Sequence, residues 1–299
     1  MDPWIIVFGL AVGVLIGMTG VGGGSLMTPL LILVFGVAPV TAIGTDLAYG
    51  AVTKTVGGWR HLRQGTVDLA LAGWMAVGSV PASVLGVIAL KDLQSSQGPG
   101  FDETVLIAVG GALILGGAAL LARLLLVGSA GERESAEMTP WWRAAAVAFG
   151  ALIGFVLGVT SAGSGALISV ALILLFRLVP RRVVGTGVFH AGILLWAAAL
   201  AHMVAGDIDY ALAGTILIGS VPGVWIGSAL AMRVPVGALR TTLGLLLLGS
   251  GLALIQKGGA SIPLGVIAAF PAAVVAIIVP AQLRARARRS TPQPAQPTS

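Results

Sequence analysis

Gly17-Met18-Thr19-Gly20-Val21-Gly22-Gly23-Gly24-Ser25-Leu26 breaks an apolar stretch, and a second version lies 141 positions on, at Gly158-Val159-Thr160-Ser161-Ala162-Gly163-Ser164-Gly165-Ala166-Leu167. The same offset aligns Gly17 to Leu90 with Gly158 to Ala231 without a gap, with about 24 identities in 74 pairs. The matches favour residues that dictate backbone: Pro39 with Pro180, Gly44-Thr45 with Gly185-Thr186, and Gly78-Ser79-Val80-Pro81 with Gly219-Ser220-Val221-Pro222. His61, Gly65 and Asp68 also recur, as His202, Gly206 and Asp209. One structural unit is therefore expected twice.

Working outward, the chain has 299 residues, 57% of them hydrophobic and 9% charged, with a mean hydropathy of +1.01. A soluble domain carries roughly a quarter charged residues, so water is not the expected solvent. The formal charge of +6 owes much to Arg284, Arg286, Arg288 and Arg289 after the last apolar stretch, which read as a cytoplasmic anchor. No basic stripe interleaved with aromatics points to nucleic acid. The absence of cysteine excludes disulfides, thiolate metal sites and thiol chemistry. The stretch Trp4 to Ile16 lacks a basic leader and a small-residue cleavage site, so it is expected to stay in the mature protein.

In each copy two short apolar pieces flank the glycine-rich break: Trp4 to Ile16 and Leu26 to Val37, then Ala144 to Leu157 and Ala166 to Val179. At roughly 13 residues each, neither is long enough to cross a bilayer alone. Three longer spans follow in each copy, near 40–57, 67–90 and 104–127, then 183–204, 208–232 and 236–255, with an unpaired one near 262–279. The positive-inside rule sets Arg60, Arg63, Arg123 to Arg143, Arg181, Arg182 and Arg233 on the cytoplasmic face and Asp207 outside. That arrangement requires each short pair to return to its own face and each copy to cross three times, which inverts one copy relative to the other.

The expected fold is an all-α integral membrane protein of two inverted repeats, each a re-entrant helical hairpin plus three transmembrane helices, with one extra C-terminal span. The divisions are 1–127 and 141–256 for the repeats, 128–140 for a polar cytoplasmic linker, 257–283 for the extra span and 284–299 for a basic disordered tail.

Non-helical backbone at membrane depth is tolerated only where protein or a water-filled cavity satisfies it, so the two breaks mark a site. Each second short helix begins at a break, and a helix N-terminus attracts anions. Hydroxyls near the breaks could donate to an oxyanion: Thr19 and Ser25 in the first, Thr160, Ser161 and Ser164 in the second. The same residues could equally cap half-helices or pack against neighbours. Gly22, Gly23, Gly24, Gly163 and Gly165 would let backbone approach a ligand. Thr45 and Tyr49 share one helix face, as do Thr186 and His190. Asp46 and His190, ionisable within the membrane, are candidates for proton coupling or substrate contact. Lys54 is expected to reach toward Arg60 at the interface. Asp68, Asp209, His61 and His202 read as interfacial or capping groups.

These motifs, from Gly17 to Leu26 through Pro39, Gly44-Thr45 and Gly-Ser-Val-Pro, resemble the TauE/SafE family of sulfite exporters, also called 4-toluene sulfonate uptake permeases. The resemblance covers both repeats, about Trp4 to Ile255. It implies multi-pass residence in a bacterial inner membrane and transport of sulfite, sulfonates or related sulfur-containing anions through a site at the breaks, while the arginine tail puts the C-terminus on the cytoplasmic side. Alternating access, as an exporter, is the mechanism expected. The expected partners are a small oxyanion and the lipid bilayer; a homo-oligomer stays open, and no cofactor, metal or enzyme activity is expected. Two other readings are an intramembrane hydrolase with Ser164 as nucleophile and a cation or metal permease. Ala162 stands where the first would need glycine, and three dispersed histidines make a poor cage for the second.

Overall fold

The structure is a computed structural model that describes residues 3–19, 24–126, 133–162, 165–231, 236–261, 263 and 265. Its helices are α1 (Pro3–Thr19), α2 (Gly24–Leu33), α3 (Pro39–Arg63), α4 (Leu69–Gln97), α5 (Phe101–Leu126), α6 (Pro140–Thr160), α7 (Ala166–Leu174), α8 (Pro180–Ala205), α9 (Tyr210–Ala231) and α10 (Val236–Lys257). Among the described residues the one pairing of extended chain is an isolated bridge between Arg133 and Leu178. Helices α1 to α5 correspond in order to α6 to α10 under the 141-residue offset. Most of the extra span expected near 262–279, and all of the arginine tail, lie outside the described residues.

Local chemistry sets the boundaries. Pro39, Pro140 and Pro180 open α3, α6 and α8, where a missing N–H costs nothing. Asp68 Oδ1 accepts from the Leu71 amide at 3.1 Å and Asp209 Oδ1 from the Leu212 amide at 2.9 Å, so both cap helices. Gly206 ends α8 in the left-handed conformation (φ 78°), and Gly65 follows α3 at φ 64°.

Four helical stretches are long and apolar enough to cross a membrane: 69–122, 140–160, 180–205 and 210–227. Among the described residues the regular structure is helical, with helices that suit a multi-pass membrane protein. Helix α3 has the length, at 25 residues, but carries Asp46, Lys54, Arg60 and Arg63. Asp46 and Lys54 are turned inward, with relative exposures of 0% and 6%. Lys54 is buried, its helix face against Gly192 of α8.

The helices at the breaks are unequal, which corrects the expectation of short pieces of similar length. Helix α1 has 17 residues against 10 in α2, and α6 has 21 against 9 in α7. Trp141, Trp142 and Arg143 extend α6 back to its proline, and at about 1.5 Å per residue it is long enough to cross. The chain nonetheless doubles back. The Arg133 amide donates to the Arg177 carbonyl (2.8 Å) and the Val179 amide to the Arg133 carbonyl (2.9 Å), tying the segment before α6 to the one after α7. Trp142 and Phe176 meet at a tilt of 55° with ring centroids 5.7 Å apart, and Phe8 meets Phe35 edge-on at 4.8 Å in the first copy.

The two copies interlock. Helix α1 packs along α9 and α6 along α4, while α3 packs on α8 and α5 on α10. In α1, a Cβ on Gly9 or Gly13 would overlap the backbone of Ile216 or Ser220; in α6, one on Gly150 or Gly154 would overlap Met75 or Ser79. Each contact is the other's counterpart with the copies exchanged. Because residue numbers rise together, α1 runs parallel to α9 and α6 to α4. Helices α3 and α8 are antiparallel, with Gly50 at Leu195 and Gly57 at Val188, and so are α5 and α10, with Gly110 at Gly251 and Gly117 at Gly244.

Replacing Gly13 or Gly154 by Ala should lower the melting temperature in detergent by several degrees, consistent with about 1–3 kcal/mol for overpacking. Gly73→Ala and Gly214→Ala, where an added Cβ meets nothing within 4 Å, should leave it unchanged or raise it. Equal effects at all four positions would contradict this packing.

Candidate functional site

Helix α3 faces α8, and both carry buried polar groups near their middles. Tyr49 and His190 occupy equivalent positions and are 1% and 0% exposed. Ser79 of α4 lies 3.0 Å from His190 Nε2. The counterpart pair is Ser220 of α9 and Tyr49, which face one another without a well-formed hydrogen bond. Both serines come from the repeated Gly-Ser-Val-Pro.

Asp46 lies one turn before Tyr49 on α3. Its Oδ2 accepts from Thr28 Oγ1 of α2 and from Ser161 Oγ, each at 2.6 Å, and the two hydroxyls are 2.7 Å apart. Ser161 takes the left-handed conformation (φ 55°) that ends α6. Thus a hydroxyl from the second break reaches into the first copy. Asp46 Oδ1, Tyr49 Oη, His190 Nδ1 and Ser220 Oγ are buried without a hydrogen-bond partner. Nδ1 of His190 faces the Met75 carbonyl but falls short of bonding geometry. Buried polar groups are ordinarily satisfied, so four such atoms on inner helices call for an explanation.

The remaining nominated residues divide. Ser25 is buried beside Thr28 on α2. Thr160 Oγ1 donates to the Val156 carbonyl (2.6 Å) and accepts from the Ala162 amide (3.2 Å), which is a turn role. Gly165 precedes α7 and its carbonyl accepts from the Ser169 amide. Thr45 and Thr186 accept from the amides of Asp209 (3.1 Å) and Asp68 (2.8 Å), so each fastens a helix-capping loop of the other copy. Thr19 closes α1 and Gly24 opens α2. Gly22, Gly23, Gly163 and Ser164 lie outside the described residues.

Sequence alone misses Thr28, Ser79 and Ser220. The signal for the serines is their place in the repeated motif, each directly after a glycine that meets the other copy, Gly78 at Val147 and Gly219 at Ile6. The signal for Thr28 is a hydroxyl one turn beyond Gly24, with Ser169 as its counterpart.

The two ends of the bundle differ. At one, Arg181 and Arg182 reach Glu134, Arg182 also donates to the Val67 carbonyl (2.9 Å), and Asp68 accepts from the Ala136 amide (2.8 Å). At the other, His202 Nδ1 lies 2.9 Å from Asp207 Oδ2, its Nε2 3.0 Å from the Gly158 carbonyl, and Lys91 pairs with Asp207 at 2.5 Å. His202 is therefore buried and built into the core rather than interfacial.

Long apolar helices around a belt of buried polar groups make this a polytopic membrane protein built for transport. The chain belongs to the sulfite exporter TauE/SafE family, whose model matches residues 5–254. It is 39% identical over 257 residues to the probable membrane transporter protein YjnA of Bacillus subtilis (strain 168), covering 85% of this chain and 100% of that one. A second relative from the same strain, the probable membrane transporter protein YdhB, is 27% identical over 84% of this chain and 99% of its own. A probable membrane transporter protein of Xylella fastidiosa (strain 9a5c) is also 27% identical, over 84% and 94%. No solved structure matches the chain.

Burial opposes the charged form of Asp207, but His202 and Lys91 outweigh it and hold its carboxyl below the usual 3.8. A lowered carboxyl stabilises the fold above its ordinary value and loses that contribution as pH falls through the lowered one. Lys91→Met should therefore cut melting temperature at neutral pH and flatten its decline on acidification. An acid limb identical to the wild type's would contradict this role.

Proposed function

We propose that the protein is a secondary transporter that moves sulfite, a sulfonate or a related small sulfur-containing anion across the bacterial inner membrane by alternating access, most simply as an exporter. The four buried atoms without partners among the described residues carry the reading: they belong to side chains that can donate to or exchange protons with an oxyanion, and they lie in α3, α8 and α9, with α3 packed on both of the others. The family's description as a sulfite exporter supports the substrate class.

In this reading the N-termini of α2 and α7, with Ser25, Ser161, Tyr49, His190 and the backbone around Gly22 to Gly24 and Gly163 to Gly165, hold the anion. Thr19, Ser164 and Thr160 adjoin the same breaks in sequence, and Thr45 and Thr186 fasten the capping loops of the opposite copies. Support for inverted copies comes from helix direction. Exchange of the copies reproduces the same contacts, and the exchanged partners α3 and α8 run antiparallel, as do α5 and α10. A two-fold axis that relates antiparallel helices lies across them, hence in the membrane plane if they span it. The hairpins that double back support re-entrance. The gathering of Arg181, Arg182, the 133–137 segment and the loop after Arg63 at one end supports a cytoplasmic linker, and with it a cytoplasmic C-terminus.

Proteoliposomes holding the purified chain should take up labelled sulfite faster than protein-free vesicles, saturably and in competition with other sulfur oxyanions. Tyr49→Phe combined with His190→Ala should reduce that flux at least tenfold while the protein remains folded. Flux unaffected by the double substitution, or uptake of cobalt or nickel in place of oxyanions, would refute the assignment.

A further inference from the structure

Thr28 Oγ1, Ser161 Oγ and Asp46 Oδ2 form a closed triangle with edges of 2.6, 2.6 and 2.7 Å. Contacts this short between oxygens are O–H···O hydrogen bonds, each with a hydrogen between its two oxygens. Three edges therefore need three hydrogens, and the two hydroxyls supply two. If both point at an ionised carboxylate, the Thr28 and Ser161 oxygens face each other with lone pairs only. A hydrogen on the carboxyl closes the ring: the carboxyl O–H donates to one hydroxyl, that hydroxyl to the other, and the second back to Oδ2. Groups outside the triangle cannot supply the missing hydrogen, because it must lie on one of these three edges.

The surroundings agree. Asp46 is fully buried; besides the two hydroxyls only the Thr28 backbone amide faces its carboxyl, and Oδ1 has no partner in bonding geometry, an expensive setting for an anion and a tolerable one for a neutral carboxyl. Helix α2 has no ionisable residue. On α8, His190 turns to Ser79, His202 to Asp207, and Arg181 and Arg182 lie at the far end. On α9 the one ionisable side chain, Tyr210, is exposed at the first residue, and on α5 Asp102 and Glu103 sit in the first turn. Asp207, whose backbone covers Gly44, directs its carboxylate at His202 and Lys91. On α3 itself Tyr49 is one turn from Asp46, while the buried Lys54, two turns on, lies toward His61; on α10, which packs on α2, Lys257 donates to the Ile32 carbonyl at 2.9 Å. Among these groups no cation is placed to balance an ionised Asp46.

We propose that Thr28, Asp46 and Ser161 form a proton-binding site, occupied in this conformation, that couples anion movement to proton movement. On release, the Asp46 O–H bond breaks, its electron pair stays on the carboxylate and the proton passes to water. The triangle then lacks one hydrogen, and the edge between Thr28 and Ser161 becomes repulsive. Thr28 and Asp46 belong to the first copy and Ser161 to the second, so proton occupancy acts on the contact between copies that alternating access must open. The coupling rests on the transport reading above; the bound proton does not. The second copy has Gly187 where the first has Asp46, so one such site is built per chain.

Infrared spectroscopy of the reconstituted protein at neutral pH tests the bound proton. A protonated-carboxyl C=O stretch should appear, shift on carbon-13 labelling of aspartate, and vanish in Asp46→Asn. No such band in the wild type, or one that survives the substitution, overturns the proposal. If Asp46→Asn does not fold, Asp46→Glu serves instead: its band should be insensitive to aspartate labelling, and a band still sensitive overturns the assignment. For coupling, an imposed pH gradient should drive labelled sulfite above its equilibrium level in wild-type vesicles relative to protein-free ones. Downhill flux indifferent to the gradient overturns the coupling. Absence of any sulfite flux alongside an intact band overturns the transport reading instead, and leaves the proton site standing.

Discussion

Backbone-to-backbone contact between the two copies, Gly13 against Ser220 and Gly154 against Ser79, is the constraint from which the rest of the structure follows. In hydrocarbon no hydrophobic force draws helices together, so association relies on close packing of small residues and on polar contacts. Here the two coincide. Ser79, whose backbone Gly154 touches, is the residue whose hydroxyl reaches His190, and Ser220 holds the matching place before Tyr49. A side chain at either glycine would push the serine off its partner. Packing and polar chemistry are therefore one design element, present twice.

On that shared scaffold the chemistry is unequal. Asp46 is matched by Gly187, Tyr49 by His190, Lys54 by Leu195 and Ser161 by Gly20. The groups that repeat are structural: glycines at helix contacts, Asp68 and Asp209 at helix starts, Thr45 and Thr186 on the opposite loops. Those that differ line the interior. A repeat that keeps its backbone and varies its inner side chains gives the two copies one scaffold with different interior chemistry.

Much of this was legible before the fold. The 141-residue offset and the break before α2 and α7 follow from residues whose backbone preferences are strong, and capping was one of the two roles open to Asp68 and Asp209. The lengths of α1 and α6 were not, because apolarity alone cannot show that Trp141 to Arg143 continue a helix to Pro140. Nor was the fate of Thr45 and Thr186: a hydroxyl on an inner helix face looks alike whether it meets a ligand or a loop amide from the other copy. Thr28, Ser79 and Ser220 became visible only once helices distant in sequence were brought together.

Opposed orientation of the two copies is the central claim, and side-specific labelling tests it most directly. The chain has no cysteine, so Gln64→Cys and Val204→Cys, exposed sites at corresponding ends of α3 and α8, each provide a unique target. In intact cells a membrane-impermeant maleimide should modify the cysteine at 204 and reach that at 64 only after permeabilisation. Modification of both from the same side would place the copies in parallel and contradict the account.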